Sequence, residues 1–170
     1  SRKIMQAYLD SLDSQKMFFT QKDIDHFSQW QDTLDDDIWD GKLDAPFAIF
    51  NRYRERMAER IAYAQGLLEK GFDFDKKESY QLDRSKADWP ADDAALDDLW
   101  RKRVKNDWLR LTLAGKKDDA IAKLLKKRYA GYLKRIRQIE SEDVYQTFMN
   151  AYASSTDPHT SYLGPRAAEN

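Results

Sequence analysis

Only two histidines occur in this 170-residue chain, and each stands close to aspartate: His26 follows Asp23 and Asp25, and His159 follows Asp157 and Pro158. Imidazole beside carboxylate is the raw material of zinc sites and of general-base catalysis. On a helix, Asp23 and His26 share a face while Asp25 points elsewhere, so only two ligands converge where a zinc site takes at least three. His26 therefore reads as a solvated or half-buried surface histidine, and no metal or cofactor is expected. There is no cysteine, which excludes thiolate chemistry and disulfides. No Gly-x-Ser-x-Gly elbow is present to expose a serine nucleophile, and the six glycines are dispersed instead of forming a phosphate-binding loop. Among 30 acidic residues no catalytic pair can be singled out; Asp35-Asp36-Asp37 and Asp92-Asp93 read as helix-terminal or solvated charge. No catalytic residue is assigned.

The one run with the character of a nucleic-acid surface is Lys126 to Arg137, where cations alternate with Tyr129 and Tyr132. Both tyrosines fall on the helical stripe of Leu125 and Ile136, which makes them core and leaves the charges as the wet face. The formal charge of −1 also denies the chain the electrostatic excess that supplies most nonspecific affinity. No nucleic-acid partner is expected. Uninterrupted apolar runs are a few residues long, far short of the ~20 that a membrane-spanning helix needs.

The elements that would position these residues are helical, because apolar side chains recur near every 3.6 residues and sustained alternation is absent. A first helix should cover Ile4 to Leu12. Thr20 is a good N-cap, with Asp23 completing an acidic capping box and Phe19 stapling onto Ile24; the second helix runs from there through Phe27, Leu34 and Ile38 toward Gly41. The third, Ala45 to Lys70, carries Phe50, Tyr53, Met57, Ile61, Ala64 and Leu68 in steps of three and four, with Pro46 in its first turn and Gly71 as its stop. At ~40 Å it is the expected spine. From Phe72 to Ala91 periodicity lapses, leaving a long connection whose aromatics should pin it to the helices. Asp92 or Asp93 then caps a helix with Leu96, Trp100, Val104, Trp108 and Leu111; another spans Lys117 to Ile139; Ser141 caps the last, with Val144, Phe148 and Tyr152 inward. The predicted fold is all-α, an irregular bundle of about six helices interrupted by one aromatic-rich connection.

Proline fixes its own φ and pushes the preceding residue out of the helical region, so the last helix must end before Asp157. The segment Thr156-Asp157-Pro158-His159-Thr160-Ser161-Tyr162-Leu163-Gly164-Pro165-Arg166 resembles the join between the N-terminal helical region and the PDZ domain of C-terminal processing peptidases. Tyr80 to Pro90 (YQLDRSKADWP), Leu111 to Lys116 (LTLAGK) and Tyr8 to Asp13 (YLDSLD) sharpen the likeness toward the longer bacterial branch, the tail-specific proteases. Gly164, where relatives often carry a small polar residue, departs from the pattern and should loosen the turn.

The resemblance implies a bacterial periplasmic endopeptidase that recognises an apolar C-terminus through its PDZ domain and cleaves with a serine nucleophile and a lysine base. None of those elements matches a position here, so this fragment alone should be inactive. Residues 1–156 are expected to form the N-terminal helical domain and 157–170 a linker toward a PDZ domain absent from this chain; the start at Ser1 without methionine or apolar leader is expected of a processed or truncated terminus. Asp157, Pro158, His159 and Tyr162 form the expected interdomain elbow. Phe72, Phe74 and Tyr80 are the expected partner surface, weighed against simple packing on the bundle. The implied partners are proteins with apolar C-termini, met through the downstream domains, and an adaptor protein or a second copy of the chain. The competing readings are a stand-alone helical interaction module and a nucleic-acid-binding bundle.

Overall fold

The 27-residue helix α4, Asp44–Lys70, is the longest element and spans about 40 Å. Its buried side chains at Ile49, Phe50, Met57, Ile61, Ala64, Leu67 and Leu68 follow the spacing read from the sequence. Gly71 ends it at φ +81°, a left-handed conformation that a side chain would strain. The structure, a computed structural model, describes residues 1–156. The expected elbow residues Asp157, Pro158, His159 and Tyr162 lie outside them.

Around α4 are α1 (Arg2–Asp13), α2 (Gln21–Phe27), α3 (Leu34–Trp39), α5 (Asp93–Leu113), α6 (Asp118–Arg137) and α7 (Ser141–Thr156). No strand occurs among the described residues, so the all-α bundle is as expected. One helix expected to run unbroken toward Gly41 is instead divided. α2 stops at Phe27, a single 3-10 turn follows at Ser28–Trp30, and α3 begins at Leu34. The hydroxyls of Ser28 and Thr33 donate to the carbonyls of Asp25 and Trp30, offering the backbone a local alternative to helix propagation. Three consecutive aspartates, Asp35 to Asp37, then occupy the first turn of α3, where the helix dipole favours negative charge.

The expected capping box at Thr20 forms in full: its hydroxyl accepts from the Asp23 amide at 3.3 Å, and the Asp23 carboxylate accepts from the Thr20 amide at 3.0 Å. Asp92 is the cap of α5, accepting from the Ala95 amide at 2.9 Å. Ser141 is not the cap expected of it. α7 begins at Ser141 itself, and the Asp143 carboxylate reaches back to the Glu140 amide at 3.1 Å.

The core has two lobes. Trp100, Leu96, Val104, Ile121, Leu125 and Tyr129 pack on the C-terminal half of α4. Tyr8, Phe19, Phe27, Leu34 and Phe148 pack on its N-terminal half, with Tyr53 touching both lobes. Trp100 is fully buried and its indole Nε1 donates to the Met17 carbonyl at 2.6 Å. Along one face of α4, with Arg52, Arg56 and Arg60 at successive turns, runs a layer of ion pairs: Asp23 accepts from Arg52 at 3.0 Å and from Arg56 at 2.8 Å, Arg56 also reaches Asp93 at 2.6 Å, and Arg60 pairs with Asp97. This layer ties α2 and α5 to the spine.

Candidate functional site

The connection between α4 and α5 is held at both ends, and that is what makes it a defined surface. Near its start, the buried Lys105 of α5 donates Nζ to the carbonyls of Asp73 at 2.7 Å and Lys76 at 3.1 Å, and to Glu78 Oε1 at 2.8 Å. Arg101, one turn earlier, meets both oxygens of the same carboxylate at 2.7 Å each. A guanidinium fork on a carboxylate fixes orientation as well as position. These bonds from Arg101 and then Lys105 hold the Glu78 carboxyl well below the usual carboxylate range. Phe72 adds an aromatic contact, its ring 6.2 Å from Trp108.

Near its end, the connection rests on the turn after α1. Gln15 Oε1 accepts from the Arg84 amide at 2.8 Å, and Lys16 Nζ donates to the Ser85 carbonyl and sits 5.5 Å from the Trp89 ring. The Gln21 amide donates to the Pro90 carbonyl at 2.7 Å. The turn itself is organised by Asp13, whose buried carboxylate accepts from the amides of Met17 at 2.8 Å, Phe18 at 3.0 Å and Phe19 at 2.9 Å. Burial pushes the Asp13 carboxyl up, while the three amides pull the other way. Its oxygens are occupied by backbone, which assigns it to structure.

Three cavities border this region. One of about 500 Å³ has an apolar floor of Phe18, Phe50, Met57 and Ile136, with Arg103 and Arg135 at its edge. A second, about 300 Å³, lies beside Phe74, Tyr80 and Leu109. A third, about 270 Å³, takes Tyr80, Leu82, Arg84, Arg103 and Arg110 into its lining.

Of the expected partner surface, Phe72 is half-buried against α5, Phe74 is 48% exposed, and Tyr80 is half-buried between the second and third cavities. The structure thus brings Phe72 and Phe74 together, rings 5.9 Å apart, and sets Tyr80 with Phe74 along the second cavity, whose lining also holds Glu78 and Lys105. His26 is exposed and meets Trp30 edge-on at 5.5 Å, while Asp23 turns away into the ion pairs with Arg52 and Arg56. No group of three or more metal-ligating side chains converges among the described residues. In the basic run, Leu125, Tyr129 and Ile136 are buried, Tyr132 is half-buried, and Lys126, Lys127 and Arg128 are exposed. The Tyr129 hydroxyl donates to Asp107 at 2.7 Å.

The clasp of Arg101, Lys105 and Glu78 was not anticipated. The spacing of Arg101 and Lys105 puts them one turn apart on a single helix face, but their partner lies more than 20 residues away in a stretch without periodicity. No local pattern announces it.

Residues 1–166 match the family model described as the tail specific protease N-terminal domain. The chain belongs to that family. A curated relative, the tail-specific protease of Haemophilus influenzae, is 40% identical over 170 residues, an alignment that takes in 99% of this chain and 24% of the relative. The chain thus spans about a quarter of the length of that curated relative. The tail-specific protease likeness carried by Tyr8 to Asp13, Tyr80 to Pro90, Leu111 to Lys116 and Thr156 to Arg166 is therefore a family membership. No helix among the described residues is long and apolar enough to cross a membrane.

Proposed function

We propose that this chain is the non-catalytic N-terminal scaffold of a periplasmic serine-type endopeptidase, which positions the PDZ and protease domains and offers surface to substrate, adaptor or a second subunit. The observation that carries the reading is the family match, which extends over residues 1–166. In the parent protein the serine nucleophile and its lysine base would belong to the downstream polypeptide, where burial can bring the lysine close to neutrality and make it a base. Substrates would be proteins with apolar C-termini, engaged by those downstream domains.

Within this scheme, 1–156 is the frame and 157–170 the linker. Asp157 and Pro158 would set the exit direction, with His159 and Tyr162 completing the elbow. What supports a framing role is the way the bundle is tied: one long spine, two apolar lobes, and ion pairs that cross from α4 to both α2 and α5.

The test is removal of the segment corresponding to residues 1–156 from the full-length protein. Cleavage of an apolar-tailed protein should fall sharply, while covalent labelling of the nucleophilic serine by a small reactive probe persists. Undiminished cleavage of the protein substrate by the truncated enzyme would end the scaffold reading. In the full-length protein, Pro158→Gly should slow cleavage by loosening the elbow, and an unchanged rate would reject elbow rigidity as its contribution.

A further inference from the structure

The third cavity is more basic than its surroundings. Three guanidiniums, those of Arg84, Arg103 and Arg110, line its about 270 Å³ together with a single carboxylate, Asp107, which already accepts from the Tyr129 hydroxyl. Among the described residues none of the three arginines forms an ion pair, although α4 and α5 elsewhere pair their arginines with acids. Asp83, the acid next to Arg84 in sequence, instead accepts from the Ser85 amide at 3.0 Å.

The arginines are also placed. Arg103, Asn106 and Arg110 follow a spacing of three and four along α5, so they share one face of that helix. Arg103 is held by stacking on Trp100, 4.6 Å from the ring centroid. Arg84 arrives from the connection, its backbone fixed by the bond from its amide to Gln15. Its Nε is buried and finds no acceptor in the protein. Arg54 and Arg60 have a buried Nε without an acceptor as well, but each uses another guanidinium nitrogen to bind a protein oxygen. The Arg84 guanidinium forms no ion pair among the described residues, which leaves its charge for an anionic group in the cavity.

The rest of the lining is mixed, with Gln15 and Asn106 polar and one apolar side. Met17 and Tyr80 form part of the wall, and Leu82 stands 60% exposed at its edge. A bare oxyanion would use the guanidiniums and leave Leu82 in water. A polypeptide that carries an apolar side chain beside its carboxylates would use both, and arginine with tyrosine is the pairing on which protein interfaces concentrate their affinity. At about 270 Å³ the cavity has room for side chains and is small for a whole drug-sized ligand.

We infer that the cleft between the connection and α5, built by Arg84, Arg103, Arg110, Tyr80 and Leu82, docks an acidic segment of a partner protein in which leucine-like side chains alternate with carboxylates. This deepens the proposal that the domain contacts other proteins and rests on it for its purpose. Its test uses the 170-residue chain alone, so a failure here leaves the truncation experiment free to succeed.

The experiment is fluorescence anisotropy with a labelled peptide of four Leu-Glu-Glu repeats, compared with Leu-Gln-Gln and Ser-Glu-Glu peptides of equal length. The Leu-Glu-Glu peptide should bind in saturable fashion and the other two at least about 10-fold more weakly. Arg84→Gln and Arg110→Gln should each weaken binding about 10-fold, the worth of one charge-assisted hydrogen bond. Leu82→Ser, at an exposed position whose replacement leaves the core untouched, should weaken it several-fold with unchanged circular dichroism and melting. Absence of saturable binding by the Leu-Glu-Glu peptide overturns the inference. So does equal binding of either control peptide, indifference to both arginine variants, or displacement of the peptide by sodium phosphate when sodium chloride of equal ionic strength leaves it bound.

Discussion

Lys105→Met should free the first half of the connection without unfolding the bundle. Methionine keeps the length and the apolar stem of lysine and removes the ammonium. Three hydrogen bonds go with it, to the Asp73 and Lys76 carbonyls and to Glu78. Charge-assisted bonds contribute about 1.5–3 kcal/mol each. Two losses are offset: the carbonyls regain water once the segment lifts, and the desolvation of a nearly buried ammonium is relieved. Glu78 keeps its fork on Arg101. The net cost is about 2 kcal/mol, confined to the opening of the segment around residues 73–78, which corresponds to about 30-fold in the opening equilibrium.

Lys76 and Lys77 lie exposed in that segment and supply the assay. Where reclosing outpaces cleavage, tryptic cutting tracks the open population, so the rate at Lys76 and Lys77 should rise about 30-fold. The substitution leaves the cleaved sequence itself unaltered. A rate within twofold of the parent chain, in a variant whose circular dichroism is unchanged, would show that Lys105 does not hold the connection.

The ion-pair layer gives a second prediction. Asp23→Ala should cost about 3 kcal/mol, since it takes from Arg56, 5% exposed, its buried partner, leaving the exposed Asp93 and Glu59, and breaks the capping box at Thr20. For a chain of this size that lowers Tm by roughly 6–12 °C. Adding Arg56→Leu should recover part of the loss, because a buried pair replaced by apolar side chains is often neutral, and a double variant no better than Asp23→Ala would refute the assignment of that loss to the Arg56 charge. Asp13→Ala should cost about 3–5 kcal/mol by orphaning three amides around the first turn, measured as a fall in the urea midpoint. Acid should destabilise the fold. Arg101 and Lys105 hold Glu78 below the usual range, and at Asp23 burial pushes upward but the bonds from Arg56, the Thr20 amide and Arg52 prevail and lower it. The stability these two carboxylates contribute is complete above about pH 5 and is lost as pH falls below their unfolded values near 4. Asp13, raised by burial, works in the opposite sense, so Glu78→Gln should flatten the decline between pH 5 and 3. An identical slope in that variant would remove Glu78 from the explanation.

Much of this architecture is legible in local pattern. Thr20 with Asp23, Asp92 before Leu96, and the three- and four-residue steps from Phe50 to Leu68 each announce an element, because caps and amphipathic stripes are properties of neighbours in sequence. The break between α2 and α3 is less visible. Phe27, Leu34 and Ile38 fit one continuous helix, and the competing signal is only the Ser28 and Thr33 hydroxyls with their small local bonds. The candidate site is the least legible, since it depends on Glu78 and Arg84, both in the aperiodic stretch from Phe72 to Ala91, meeting residues of α5 about 20 to 30 positions away. Aromatics there, the exposed Phe74 and the half-buried Tyr80, mark the neighbourhood. They do not reveal that charged partners organise it.

The most direct measurement sets the isolated 170-residue chain beside the full-length protein in one peptidase assay, with an unfolded substrate ending in apolar residues. The full-length protein should cleave it and the isolated chain should not, at any concentration and with contaminating proteases excluded. Sustained cleavage by the isolated chain would place reactive side chains inside this helical frame and contradict the account.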